Sequence, residues 1–162
     1  MVIHFYCILL VVFSCIAFGK VDFSADYLSM DFPSLINASG NARFNHESIA
    51  ISSDTFTFDS ANKIGSFRSN VTITHGNSKL GGNHMAINLA TKEVKGHGDI
   101  VFKGKSIIAY SDELLITNYE QLILKKNVRV ERNGSQVKSD ELMYNIKTDT
   151  ILSNERVKLI VR

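Results

Sequence analysis

Apolar residues alternate with polar residues in short runs along most of this chain. The clearest runs occupy positions i, i+2 and i+4, as in Phe56 and Phe58; Met85, Ile87 and Leu89; Leu114 and Ile116; Leu142, Tyr144 and Ile146. This period places the apolar side chains on one face of a β-strand, whereas the spacing i, i+3, i+4, i+7 of a helix is not sustained in any window of helical length. The pattern therefore predicts an all-β protein whose strands each have one apolar face.

The runs recur in a repeat of about 28 residues. Their anchors are the pairs Ala25-Asp26, Ser53-Asp54, Gly82-Asn83, Ser111-Asp112 and Ser139-Asp140, with second residues 28, 29, 29 and 28 positions apart. A second apolar pair follows each anchor at a fixed distance, and the residue before it is Asn41, Asn70, Asp99, Asn127 or, in the fifth copy, Arg156. Because one copy cannot bury its own apolar face, we expect five copies to stack side by side around a shared interior.

Each copy is predicted to form two or three short strands, which gives about ten or more strands in all. Asn133-Gly134, after Val128–Glu131 of the fourth copy, is a typical hairpin turn. The ends of the stack are expected to be open sheet edges. The last segment, Val157–Arg162, either pairs with a neighbouring chain or forms an ordinary edge on which Lys158 and Arg162 discourage pairing.

The first 19 residues carry no Lys, Arg, Asp or Glu. An apolar run from Phe5 to Phe18 is broken only by Ser14, and Ala17 and Gly19 supply small residues at the −3 and −1 positions of a cleavage site. These features predict a signal peptide over residues 1–19 and a mature domain over residues 20–162. Two alternatives stay open, namely an uncleaved membrane anchor and a lipoprotein acylated at Cys15. Both cysteines lie in this segment, so a cleaved protein would contain none.

Composition excludes several functions. The formal net charge is only +2, and no Lys/Arg-rich block is present, so nucleic acid is not an expected partner. His46, His75, His84 and His97 are scattered and do not form an HExxH motif, although His84 and His97 flank one predicted hairpin. We expect no enzyme activity, no cofactor and no metal, and we expect the recurring Asp residues to make turn or strand-edge hydrogen bonds.

The repeat unit resembles the OstA-like N-terminal domain family over about residues 25–161. The resemblance is carried by Ser53–Asp59 with Ser69–Ile73, by Ser111–Ile116 with Lys126–Val130, and most closely by Ser139–Asn145. It implies a partly open, twisted β-jellyroll of about five stacked repeats, whose two sheets splay into a V. It departs from the usual pattern at Gly82-Asn83 and at Arg156.

This resemblance also implies a function. The LptA-like members of this family are periplasmic bridge components, which carry lipopolysaccharide from the inner to the outer membrane in an apolar groove. Such proteins associate end to end and pair through edge strands with the inner- and outer-membrane transport subunits. A membrane-anchored LptC-like subunit, a structural β-solenoid that carries no lipid and a polysaccharide-acting enzyme on a solenoid remain as alternatives.

The apolar faces supply the groove candidates. They are Phe44, Phe56, Phe58, Ile73, Met85, Ile87, Phe102, Leu114, Ile116, Leu142 and Tyr144. Buried acyl chains gain about 0.8 kcal/mol per methylene, so binding lipopolysaccharide or a similar acylated lipid needs no special polar motif. The alternative is that all eleven form a closed core. Basic residues for a phosphorylated head group would come from Lys79, Lys92, Lys95, Lys103, Lys105, Lys125, Lys126 and Arg129, which are otherwise a solvated surface.

Overall fold

A computed structural model describes residues 21–31, 34–152 and 158–160 of the chain, all of which belong to strands or to the turns between them. The predicted signal peptide lies outside these residues, as do Arg156, Val157, Val161 and Arg162. The strands are β1 (Val21–Ser24), β2 (Tyr27–Asp31), β3 (Leu35–His46), β4 (Ile49–Asp59), β5 (Ile64–His75), β6 (Ser78–Asn88), β7 (Glu93–Lys103), β8 (Ile108–Thr117), β9 (Gln121–Arg132), β10 (Ser135–Asn145), β11 (Thr150–Leu152) and β12 (Lys158–Ile160).

The strands form one antiparallel sheet in which β3 to β10 follow one another in chain order. At one end β1 and β2 both pair with β3, and at the other β11 and β12 both pair with β10. The eight central strands have 10 to 12 residues each, so a repeat is two long strands and not several short ones. The predicted turn at Asn133-Gly134 is confirmed, because both residues have positive φ between β9 and β10.

Each central strand is interrupted halfway by a β-bulge. In β4 the buried side chains are Ile49, Ile51 and Ser53 before the bulge and Phe56 and Phe58 after it, so their period of two slips by one residue. The register with β5 shifts at the same place, between Ser52 and Thr55. Corresponding shifts lie across the sheet in every pairing from β3 to β10. Since a bulge bends its strand and adds twist, this row of bulges divides the sheet into two halves.

The anchors of the sequence repeat lie at these bulges and bond to the neighbouring strand. The Asn70 amide donates to the Asp54 carboxylate at 2.9 Å, and two other copies have the same bond. These are Asn41 to Asp26 at 3.0 Å and Asn127 to Asp112 at 2.6 Å. Asp54 and Asp112 therefore make side-chain hydrogen bonds, but these cross a bulge to the neighbouring strand and are not the turn or strand-edge bonds that the sequence predicts. Asn41, Asn70 and Asn127 have positive φ, which asparagine tolerates better than most residues.

The third copy has the same bond with donor and acceptor exchanged. Here Asn83 stands at the anchor and donates to Asp99 at 2.8 Å. The neighbouring anchor position is Gly82, where a Cβ would lie 2.6 Å from Met85 Cε and 2.8 Å from Ile100 Cδ1. The serines of other copies, such as Ser53, donate across their own bulge to a backbone carbonyl. The departure of Gly82-Asn83 from the repeat therefore preserves the bulge while making room for Met85 and Ile100.

The two halves of the sheet fold over at the bulges and face each other. Half I contains the hairpin turns at 46–49, 75–78, 103–108 and 132–135, and half II contains those at 59–64, 88–93, 117–121 and 145–150. Phe44 of half I lies 5.8 Å from Phe67 of half II between ring centroids, and Phe102 of half I lies 5.8 Å from Tyr144 of half II. An all-β, repeat-built jellyroll is thereby confirmed, with its apolar core between the halves.

The edges of the sheet differ from its centre in exposure. All five residues of β2 are exposed, and they include Tyr27, Leu28 and Met30. At the opposite end Leu152 of β11 is more than half exposed. Apolar side chains on an unprotected edge strand are a typical site for pairing with another chain.

The exchanged bond in copy three allows a test of the bulge. We expect Asn83→Asp to place two carboxylates together and to lower the free energy of unfolding by about 1 kcal/mol. The double variant Asn83→Asp/Asp99→Asn restores the arrangement of the other copies and should recover wild-type stability. Urea unfolding of the four members of this cycle measures both values. Additive effects of the two substitutions would show that the bond does not hold the bulge.

Candidate lipid-binding groove

The two rows of hairpin turns meet along one side of the jellyroll, which we call the mouth. Near its middle, His75 and Ser78 of half I lie opposite Tyr119 and Ile146 of half II. The rings of His75 and Tyr119 are 6.3 Å apart between centroids. The bulges close the opposite side of the fold covalently, so the mouth is the side on which the halves are joined only by side-chain contacts.

A small apolar opening lies behind these residues. Its walls come from both halves and include Ile49, Ile73, His75, Ser78, Leu80, Ile87, Val94, Phe102, Ile116, Tyr119 and Ile146. The enclosed space is about 50 Å³, which is room for only a few water molecules. In this conformation the space behind the middle of the mouth is therefore small, and the apolar side chains around it are closely packed.

All eleven groove candidates are buried in the one core between the halves. Four of them, Ile73, Ile87, Phe102 and Ile116, line the opening. Phe44, Phe56 and Phe58 instead form an aromatic cluster with Phe23 of β1 at the N-terminal end of the stack. Their role in lipid binding stays a prediction, and their burial agrees equally with the closed-core alternative.

Sequence reasoning missed the residues closest to the opening. Ile49, Leu80 and Val94 begin or nearly begin their strands, and Tyr119 and Ile146 lie in turns. Their common signal is position, since each is an apolar or aromatic residue beside a hairpin turn. Tyr119 is half-buried, and burial, with a smaller contribution from the Glu47 carboxylate of half I, raises the pKa of its hydroxyl.

A polar cluster joins the halves farther along the mouth, at the C-terminal end of the stack. The Asp149 carboxylate accepts hydrogen bonds from Ser106 at 2.5 Å, Tyr144 at 2.7 Å and the Arg132 guanidinium at 3.1 Å. Arg132 also donates to the Asp149 backbone carbonyl at 3.2 Å. Burial and the hydrogen bond to Asp149 raise the pKa of Tyr144 to about 12, while the Ser106 and Tyr144 hydroxyls lower that of Asp149.

The N-terminal part of the mouth contains an unpartnered polar atom. His46 Nε2 is the one buried side-chain nitrogen or oxygen without a hydrogen-bond partner among the described residues. Its ring packs on Phe44, with 6.4 Å between centroids. A buried polar atom without a partner is unfavourable, so His46 could bond to a polar ligand atom that enters here.

The basic residues proposed for a head group are in different surroundings. Three are already occupied at or near the bend: Lys126 pairs with Glu113 at 2.6 Å, Lys125 with Glu141 at 3.2 Å, and Arg129 lies 4.2 Å above the Tyr110 ring. Lys79 and Lys103 are exposed and directly opposite each other in half I, and Lys105 follows in the next turn. This second group lies close to the mouth, as do two residues of half II. These are Lys92, in a turn, and Lys95, which is exposed near the start of β7.

His84 and His97 are cross-strand neighbours with nearly parallel rings 4.6 Å apart. Within the part of the chain that the structure describes, no group of three or more His, Cys, Asp or Glu side chains is arranged to hold a metal ion. In residues 21–31, 34–152 and 158–160 we also find no helix of the length and hydropathy that crossing a bilayer requires.

The fold and its interior define a repeat-built β-jellyroll whose apolar core can be reached from one side. Residues 50–150 match the family model described as "LptA/(LptD N-terminal domain) LPS transport protein". Because the match covers more than half of the chain, this protein belongs to that family.

Solved structures agree on the fold. The chain is similar to LptH, the LptA homologous periplasmic component of the lipopolysaccharide transport device of Pseudomonas aeruginosa, with a TM-score of 0.59 and 13% identity over 89% of this chain and 96% of that one. At this identity the likeness concerns the fold. No curated protein matches the sequence.

Proposed function

We propose that this protein is a periplasmic bridge component that binds lipopolysaccharide and passes it between the membranes. The observation that carries the proposal is the apolar interior between two half-sheets that are joined by the backbone on one side only. Membership of a lipopolysaccharide transport family supports the same ligand.

Binding requires the halves to separate at the mouth. The space of about 50 Å³ is much smaller than a long acyl chain, but the residues around it are almost all apolar. Each methylene that moves from water into this interior gains about 0.8 kcal/mol, so several chains can offset the free energy needed to part the two halves. The groove candidates would then change from core residues to lining residues.

The exposed edges support assembly with other chains. β2 offers the apolar side chains of Tyr27, Leu28 and Met30, and β11 offers Leu152 at the far end of the stack. Pairing of one end with the other would join the interiors of successive subunits into one groove. The same edges would serve for pairing with the inner- and outer-membrane subunits of the transport system.

Lipid capture at the mouth can be tested by filling it. Ser78 lines the opening, so the indole of Ser78→Trp would occupy space that an acyl chain needs. We expect this variant to capture fluorescent lipopolysaccharide about tenfold more weakly, which corresponds to a loss of about 1.4 kcal/mol of acyl burial. Thr74→Trp is the matched control, because Thr74 is exposed beside the same turn and does not line the opening. Fluorescence titration measures both. No capture by the wild-type protein would refute the proposed function.

Edge pairing is tested by the distribution of oligomers. We expect Leu28→Lys to abolish concentration-dependent association, because a charge on an edge strand opposes pairing. Ile64→Lys is the control, since Ile64 is equally an exposed large apolar residue but lies on the central strand β5. Sedimentation velocity over a range of concentrations distinguishes them. Equal loss of association in both variants would indicate contact through sheet faces.

A further inference from the structure

The Asp149 cluster has an open cleft on its outer side. The cleft lies between the β7–β8 loop at 104–108 and the β9–β10 hairpin at 131–136, and its volume is about 540 Å³. This size is in the range of small-molecule sites. Its lining combines Lys105, Ser106, Arg132 and polar residues of the hairpin with the apolar Ile107 and Ile108.

Charge in the cleft is predominantly positive. Lys105 is exposed, and Arg132 is half-exposed with two of its nitrogens bonded to Asp149. The one carboxylate among the lining residues, Glu131, is already engaged by Arg129 at 3.5 Å and by Gln136 at 3.4 Å. An anion in the cleft would therefore meet two cations at a part of the surface where water is only partly excluded.

Arg132 connects this cleft to the closure of the mouth. It ends β9 in half I, whereas Asp149 precedes β11 in half II, so their ion pair crosses between the halves. A guanidinium binds phosphate with two parallel hydrogen bonds, as it does a carboxylate, so phosphate can compete with Asp149 for Arg132. Asp149 would keep a donor after the exchange, because Tyr144 lies in the same half and still donates to it. The Ser106 bond to Asp149 also crosses between the halves, so it would part together with the Arg132 ion pair.

We propose that the cleft at 104–108 and 131–136 binds a phosphate group on a sugar head group, and that Arg132 transfers from Asp149 to this phosphate as the mouth opens. This inference rests on the proposed function and adds to it a site for the head group. It makes recognition of the phosphate and admission of the acyl chains one coupled event. The ion pair keeps the empty protein closed, and a ligand with both phosphate and acyl chains opens it.

The test compares two lipids with identical acyl chains, a bisphosphorylated diglucosamine lipid and its dephosphorylated form. We expect the wild-type protein to prefer the phosphorylated lipid about tenfold, which corresponds to about 1.4 kcal/mol. Arg132→Gln should remove this preference while still binding the dephosphorylated lipid, and Arg132→Lys should retain part of it. Arg43→Gln is the matched control, because Arg43 is an exposed arginine on β3 and does not line the cleft.

Several outcomes would overturn the inference. A preference retained by Arg132→Gln, or lost equally in Arg43→Gln, would show that the cleft does not recognise phosphate. Equal weakening of both lipids by Arg132→Gln would give Arg132 a purely structural role. Failure of the wild-type protein to bind either lipid refutes the proposed function, whereas equal binding of the two lipids refutes the phosphate site alone.

Two further measurements separate the source of the phosphate and the role of the ion pair. Millimolar inorganic phosphate should leave the lipid preference unchanged; its loss would assign the cleft to free phosphate. Asp149→Asn removes the charge that holds Arg132, so the association rate of the dephosphorylated lipid should rise severalfold in stopped-flow mixing. An unchanged rate would contradict the coupling between Arg132 and the mouth.

Discussion

The row of β-bulges is the constraint on which this structure depends. A strand of 11 residues in strict alternation would be flat enough to leave its apolar face open to water, and a single sheet could not cover it. The extra residue at each bulge bends the strand and keeps the apolar side chains on the inner face of both halves, as Ile51 and Phe56 show on β4. Because every central strand bends at the same level, one sheet supplies both walls of the core.

This arrangement also determines where the structure can open. The backbone of eight strands crosses the bend, so the halves cannot part there without breaking the sheet. At the mouth they meet through a few side chains, such as His75 with Tyr119 and Arg132 with Asp149. Regions with few buried apolar contacts and half-exposed polar bonds open at the lowest free energy. Ligand admission and local opening thus fall on the same side of the molecule.

The sequence predicted the repeat, the strand class and the anchors because these depend on local pattern. The period of two and the recurring Asp with a distant Asn were visible without a structure, and they proved to be the bulge bonds. The sequence did not predict that the sheet folds over on itself. A bulge interrupts the alternation, so each long strand was divided into shorter ones. Contacts such as Phe44 with Phe67 depend on which halves face each other, so core residues could not be ranked by distance from the mouth.

The exchange at Asn83 and Asp99 shows how the repeat tolerates such local demands. A pattern search treats Gly82-Asn83 as a degraded copy, yet both departures have a physical reason in the packing of Met85 and in the partner residue 16 positions away. The copies therefore share an interaction more strictly than they share residues.

The same reasoning applies to the core. If its residues bind lipid, the closed empty state competes with the loaded state, and affinity equals acyl burial minus the free energy of opening the mouth. A protein of this design adjusts affinity at the polar residues of the mouth while its apolar repeat stays unchanged.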